Sequence, residues 1–301
     1  MCDSESLPET LIRLIGEETE VSLAPSIAAI AEAARRRHGE AIAAVLAYGS
    51  CLRDGVTEGR VVDLYLLSDD YRGGHQGAVM RLLNRMLPPN VYYLEAPFED
   101  GTVRAKYALV SLPHFERLVA SSTLHPYFWA RFAQPTALAW VRDEKTRERV
   151  IAALARSVST LIGEARPLLP PGATSQQLWV RAFSETYRTE LRAERPGRAA
   201  ELYGTHAARY DRIAEALSSE TAMAGGRVAG RWRRRRLLGK VLSVLRLMKA
   251  AFTFQNGAAY IMFKIEQHSG VSIPLTPWQQ RHPILASTTV FWRLYRKGAF
   301  R

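Results

Sequence analysis

Ala47-Tyr48-Gly49-Ser50-Cys51-Leu52-Arg53-Asp54, followed by Arg60-Val61-Val62-Asp63-Leu64-Tyr65-Leu66-Leu67-Ser68-Asp69-Asp70, is the stretch that decides how this chain is read. The apolar run 43–48 suits a buried strand and ends in a Gly-Ser turn. Such a turn lets backbone amides approach a phosphate with no side chain in the way. A second apolar run, 61–67, contains Asp63. A carboxylate among β-branched and aliphatic residues costs several kcal/mol unless a cation or hydrogen bonds compensate it. Asp63 is therefore expected to face a metal site, one strand away from Gly49 and Ser50.

The rest of the chain bounds this reading. With 301 residues, 47% hydrophobic and 23% charged, it has the composition of a globular protein longer than one typical domain. Cys2 and Cys51 cannot build a disulfide framework and show no metal-ligand spacing, which fits a reducing cytoplasm. The acidic first residues have no apolar core, so no secretory signal or transit peptide is expected there. Charge is lopsided: residues 1–150 carry 17 Lys and Arg against 20 Asp and Glu, residues 151–301 carry 24 against 9. The second half is thus expected to seek an anionic surface, nucleic acid or acidic lipid.

Taken in order, residues 8–40 read as helices, with Ser26 near the start of an Ala-rich one. Strands are expected at about 42–48, 61–67, 90–95 and 104–111, and a helix at 77–86. From about residue 144 the pattern turns helical: a helix opening at 143, then 175–194 with Ser175 as its cap, 198–218, and an apolar helix 241–254. Before the last lies the basic run 227–240, and the final run 283–301 mixes bulky apolar residues with four cations. No window of about 20 uncharged apolar residues exists, so nothing is expected to span a bilayer. Basic residues interleaved with Trp and Phe suit a helix lying at the headgroup level. The expected class is α+β: a mixed-sheet nucleotide-binding domain over 1–140 and a mostly helical domain over 141–301.

The Gly-Ser turn on one strand and the aspartate on the next resemble the polymerase-beta-like nucleotidyltransferase signature. Within that superfamily the chain resembles the mitochondrial-type phosphatidate cytidylyltransferases. The likeness lies in Tyr48-Gly49-Ser50, Asp63 and the pair Asp69-Asp70. It continues through Lys106-Tyr107 with Val110-Ser111, the run Tyr127 to Pro135 containing Arg131, and Tyr187-Arg188-Thr189-Glu190-Leu191-Arg192. Glu201-Leu202-Tyr203-Gly204 and Arg246 with Lys249 complete an ordered set from about residue 44 to 255. The superfamily's usual second carboxylate, two residues after the first, is replaced by Tyr65.

The resemblance implies transfer of CMP from CTP to phosphatidic acid, giving CDP-diacylglycerol and pyrophosphate, with Mg²⁺ as cofactor. It implies a peripheral enzyme on the inner face of a bacterial membrane, docked through its basic, aromatic C-terminal region, with no nucleic acid as partner. Tyr48, Gly49 and Ser50 would cradle the nucleotide, and Lys106 and Arg131 would neutralise its charge. Asp63 would hold the metal, with Asp69 completing the shell or, like Asp70, only bounding the strand. Because Mg²⁺ keeps several waters, one or two protein carboxylates suffice. Tyr187, Glu190 and Arg192 are second-tier candidates for the substrate. Arg246 and Lys249, one helical turn apart, are candidates for a clamp on the lipid phosphate or for a solvated face. The seven histidines show no metal or triad spacing and read as structural. Two other functions stay open: a nucleotidyltransferase for another acceptor, RNA or a small molecule, and a degenerate fold acting as a binding module.

Overall fold

Apolar runs without strict alternation predict strands covered on both faces, and the second run shows why. In the computed structural model, which describes residues 7–72, 77–190, 197–218, 226–253, 276 and 279, this run is the middle of a five-stranded sheet. Helices α1 (Glu9–Thr19) and α2 (Pro25–Arg36) precede β1 (Ile42–Tyr48). Short α3 (Ser50–Asp54) leads to β2 (Val62–Ser68), and α4 (Ala78–Met86) to the hairpin β3 (Asn90–Phe98) and β4 (Gly101–Ser111). Then come α5 (Leu112–Leu118), α6 (Tyr127–Phe132) and β5 (Thr136–Val141). The remaining helices are α7 (Glu144–Ala165), α8 (Ser175–Tyr187), α9 (Arg198–Thr205), α10 (Ala207–Ala216) and α11 (Gly226–Thr253). The sheet order is β3-β4-β2-β1-β5, with β2 and β4 parallel and all other neighbours antiparallel. The chain is therefore α+β with a mixed sheet, as its sequence pattern leads one to expect.

Val62, Leu64 and Leu66 of β2 face α2, where Ile27, Ile30, Ala31 and Ala34 cover them. Tyr65 and Leu67 face the other way, against Phe115, Phe128 and Phe132 and, on α7, Val150 and Leu154. Successive side chains of a strand alternate, so Asp63 belongs to the row of Tyr65 and Leu67. It stands where that row leaves the core, about a third exposed. The same core continues through Trp179 and Phe183 of α8, Tyr210 of α10 and Trp232 of α11. The boundary expected between residues 140 and 141 falls inside β5, and the core runs on across it without a break.

Local differences from the sequence reading have local causes. Pro25 is the first helical residue of α2, and Ser26 lies inside the first turn, accepting a hydrogen bond from Thr57 Oγ1 at 2.8 Å. Thr174, not Ser175, caps α8, through a reciprocal box with Gln177. The helix expected over 198–218 is two, joined at His206. Strand β5 has an Ala-rich sequence of weak propensity, and its pairing with β1 decides its conformation.

The basic run and the apolar stretch after it form one continuous helix, α11, and Arg231, Arg235 and Arg236 turn toward buried carboxylates. Arg235, 1% exposed, donates to Glu164 Oε2 at 2.7 Å and to Leu124 O at 3.1 Å. Arg231 lies 3.2 Å from the same carboxylate. Arg236 donates to buried Glu185 at 2.8 Å, which also pairs with Arg181 and Arg188. Trp232 packs edge-on against Trp129 and donates to Glu164 O at 3.0 Å. Among the described cations of this run Arg233, Arg234 and Lys240 are exposed, so only part of it is the solvent-facing anion patch its composition suggests. Buried carboxylates have claimed Arg231, Arg235 and Arg236. Residues 283–301, expected to face a membrane, lie outside the described residues. Among the described residues no helix is long and apolar enough to cross a membrane.

Replacing Glu164 by Ala leaves Arg235 as an uncompensated buried charge and should cost about 3–5 kcal/mol of stability. Urea unfolding of the two proteins measures this.

Candidate active site

Strand register assembles the centre of the site. The antiparallel pairing of β1 and β2 sets Tyr48 opposite Asp63, which brings the next residue, Gly49, against the carboxylate. Gly49 has φ 87°, and a Cβ there would lie 3.1 Å from Asp63 Oδ2. Conformation and close approach both call for glycine. The parallel register of β2 and β4 sets Lys106 beside Asp63 on the same face, with Nζ 3.1 Å from Oδ1. Both side chains are about a third exposed, so the pair contributes at most about 1 kcal/mol and a ligand can open it. Gly49, Ser50, Asp63 and Lys106 are therefore gathered in one place.

The acidic residues beyond Asp63 are not. Tyr65 is fully buried, its ring 4.9 Å from that of Phe132 and 6.0 Å from that of Phe128. Asp69 lies at the far end of β2, about 20 Å from Asp63 at roughly 3.3 Å per residue. There Arg142 holds it with two bonds, of 2.6 and 2.8 Å. Asp70 accepts from the amide of Arg72 and closes the following turn. Asp69 therefore cannot share an ion with Asp63, which corrects the pairing the sequence suggested. Among the described residues no group of three or more His, Cys, Asp and Glu could hold a metal. The carboxylate of Asp63 together with phosphate oxygens of a nucleotide meets the needs of one Mg²⁺, but the donor set does not fit a two-ion centre.

On another side of the Gly49-Ser50 turn opens a cleft of about 490 Å³, bordered by α1, α3, α9, α10 and the start of β5. Arg53, Thr136, His206 and Arg209 line it with Gly49 and Ser50. Its size is that of small-ligand pockets. Arg209 is fixed by Glu18, with Nη2 3.1 Å from Oε1, and donates to Ala133 O at 2.9 Å. Burial, then the charges of Arg209 and Arg53, push the His206 imidazole below its usual value, so it is neutral at pH 7. These residues escaped the sequence reading. Arg53 follows Ser50 in the same turn and carried a readable signal. His206 and Arg209 reach the cleft only through the packing of the α9–α10 joint.

A second arm of the site runs from Tyr48 into the helices. Arg131 donates to Tyr48 OH at 3.3 Å, and its guanidinium carbon lies 4.7 Å from the ring centre of Tyr127. That of Arg246 lies 4.2 Å from the same ring. Arg246 also donates to Pro88 O at 3.0 Å, and its Nη2 lies 2.5 Å from His125 Nε2. Burial, then Arg246, push His125 down to about 3, so it is neutral, and its Nδ1 accepts from the Tyr127 amide at 3.1 Å. Burial raises the Tyr48 phenol to about 12. Burial also acts to raise that of Tyr127, but the two arginines outweigh it and lower the value. Glu190 is near enough for its charge to act on Arg131 and Arg246. The Tyr65 hydroxyl is buried beside Tyr127 without meeting hydrogen-bond geometry. This cluster thus holds two cations against one carboxylate, next to the Asp63 end of the sheet.

The other candidates lie elsewhere. Tyr187 packs against the main core, and Arg192 lies outside the described residues. Lys249 donates to Leu87 O at 2.5 Å, Pro89 O at 2.7 Å and Asn90 Oδ1 at 3.0 Å. An ammonium has three hydrogens, and these acceptors take them all. Lys249 is thus a tie to the loop before β3, not half of a phosphate clamp with Arg246. Burial, then Arg246, lower its pKa to about 8. No protein-family model and no curated protein matches this chain.

Gly49→Ala should destabilise the fold by about 1–3 kcal/mol, because it forces a side chain into a strained turn against Asp63. Thermal denaturation of the variant and the parent protein measures it. Lys249→Met should cost about 1–3 kcal/mol by leaving buried carbonyls unpaired, with nucleotide affinity unchanged. Denaturation alongside calorimetric titration with CTP separates the two effects.

Proposed function

We propose that the chain is a nucleotidyltransferase of the polymerase-beta-like type that acts as a phosphatidate cytidylyltransferase. It would join CTP and phosphatidic acid to give CDP-diacylglycerol and pyrophosphate. The observation that carries the reading is the Gly49-Ser50 turn held against Asp63, with Lys106 in register beside it. The mixed sheet and the adjoining 490 Å³ cleft are consistent with a nucleotide seated there.

In this reading the amides of the turn and the Ser50 hydroxyl bind the outer phosphates of CTP, and the cleft takes the nucleoside. Asp63 would hold one Mg²⁺, which when bound neutralises charge on the transferred and leaving phosphates. Lys106 exchanges its bond with Asp63 for one with the triphosphate. Arg131 and Arg246 attract the acceptor phosphate, with Glu190 limiting their excess charge. An oxygen of that phosphate attacks the α-phosphorus while the bond to the β-phosphate breaks and pyrophosphate departs. A phosphate monoester has a second pKa of about 6, so the nucleophile is already ionised at neutral pH and needs no general base. With a lipid acceptor, the enzyme would work at the inner face of a bacterial membrane.

A second reading, a degenerate fold that only binds, is favoured by the ion pair of Asp63 with Lys106 and by the apolar burial of Tyr65. Purified protein with CTP, Mg²⁺ and vesicles containing phosphatidic acid decides between them. Pyrophosphate should appear, and Asp63→Asn should reduce its release to background. Release with RNA or a small alcohol in place of the lipid would reassign the acceptor. CTP binding without release from any acceptor would establish the binding module.

A further inference from the structure

Arg209 reaches the cleft with its charge already matched. Its Nε and Nη2 both donate to Glu18, with Nη2 3.1 Å from Oε1, and Nη1 donates to Ala133 O at 2.9 Å. The guanidinium carbon lies 5.0 Å from the ring centre of fully buried Tyr210. Carboxylate, carbonyl and ring together fix the group, whose side chain is only 15% exposed. An arginine carries five N–H donors in a rigid plane, so two remain here, one on each terminal nitrogen. These two are what Arg209 offers to a ligand in the cleft it lines.

The sheet ties this donor pair to the glycine turn. Glu18 also accepts from the amide of Thr136 at 3.1 Å, and Thr136 is paired with Tyr48, the residue before Gly49. The donors therefore stand beside the strand end from which the turn springs. Leu14, Val21, Leu52, Leu202 and Ile213 also line the cleft. Apolar walls suit the faces of a flat ring better than a phosphate, and an arginine matched by Glu18 has no charge left over for a second anion. What fits is a neutral planar ring with two adjacent acceptors on one edge.

We infer that Arg209, held in place by Glu18, reads the base of the bound nucleotide by donating to O2 and N3 of cytosine. This rests on the proposal that the cleft takes the nucleoside of CTP. Cytosine presents acceptors at both atoms, whereas uracil carries a hydrogen on N3 that would meet an N–H of Arg209 donor to donor. Rejection then comes from a polar group left unpaired in a closed site, which discriminates more strongly than a difference in size. Glu18 acts through Arg209 as a positioning residue. The selection concerns binding, so it holds whether or not the site turns its nucleotide over.

Calorimetric titration of the full chain, in Mg²⁺, with CTP, UTP, 3-deaza-CTP and inorganic tripolyphosphate tests it. The deaza analogue replaces N3 by a carbon bearing hydrogen and keeps the rest of CTP. The parent protein should bind CTP at least about tenfold more tightly than UTP or the analogue, as expected for one hydrogen bond from a charged donor. Arg209→Lys keeps the charge but not the fork, and its preference among the three should fall to about twofold or less. Retention of the full preference by this variant overturns the inference. Equal binding of CTP and 3-deaza-CTP by a parent protein that also binds tripolyphosphate overturns it too, and leaves the proposed function standing. Binding of neither CTP nor tripolyphosphate overturns both. The analogue needs no variant, so it decides the matter even where Arg209→Lys fails to fold.

Discussion

Asp63 is where the constraints on this molecule meet. Its strand is hydrogen-bonded on one side to β1 and on the other to β4. The first pairing delivers a glycine turn to the carboxylate, the second a lysine. Slipping β2 by one residue would send Asp63 to the α2 face, among Ile27, Ile30 and Ala34, where nothing could neutralise it. The apolar side chains on both faces of β2 therefore fix the register, and the register fixes the chemistry. A polar residue survives in the central strand because it sits where the covered row ends.

A similar logic governs the helical half, with charge in place of register. Glu164 and Glu185 are buried, and each draws arginines out of a run that composition alone would leave in solvent. Once those arginines point inward, the geometry of a helix obliges other residues to point outward, and in α11 these are aliphatic. The exposed stripe is thus a consequence of the ion pairs beneath it. Structural arginines and an exposed aliphatic stripe are two sides of one arrangement.

Much of the sheet was legible because the apolar runs have strand length and turn residues bound them. Asp63 was legible as an anomaly within such a run, and Gly49-Ser50 as a turn. The partnership of Asp63 with Lys106 was not, because parallel pairing joins segments separated by a crossover and leaves no trace in local pattern. Asp69 looked plausible as a ligand while the two aspartates were close in sequence, but an extended strand carries residues apart quickly. The fate of the basic run was hidden for another reason: the carboxylates that claim Arg235 and Arg236 lie 71 and 51 residues away. Lys249 misled because a cation one turn from another suggests a clamp, whereas burial supplied main-chain carbonyls to hold it.

The unbroken core across β5 bears on how such a chain can change over generations. Trp129, from the sheet half, rests edge-on against Trp232, from the helical half, and Tyr65 shares its apolar surroundings with the cluster that reaches Tyr210. Neither half presents a finished surface to the other, so they cannot be shuffled as interchangeable modules. A descendant that acquired a new helical partner for its sheet would have to rebuild the aromatic interior at the same time. Inheritance of the site and inheritance of α11 are coupled through packing.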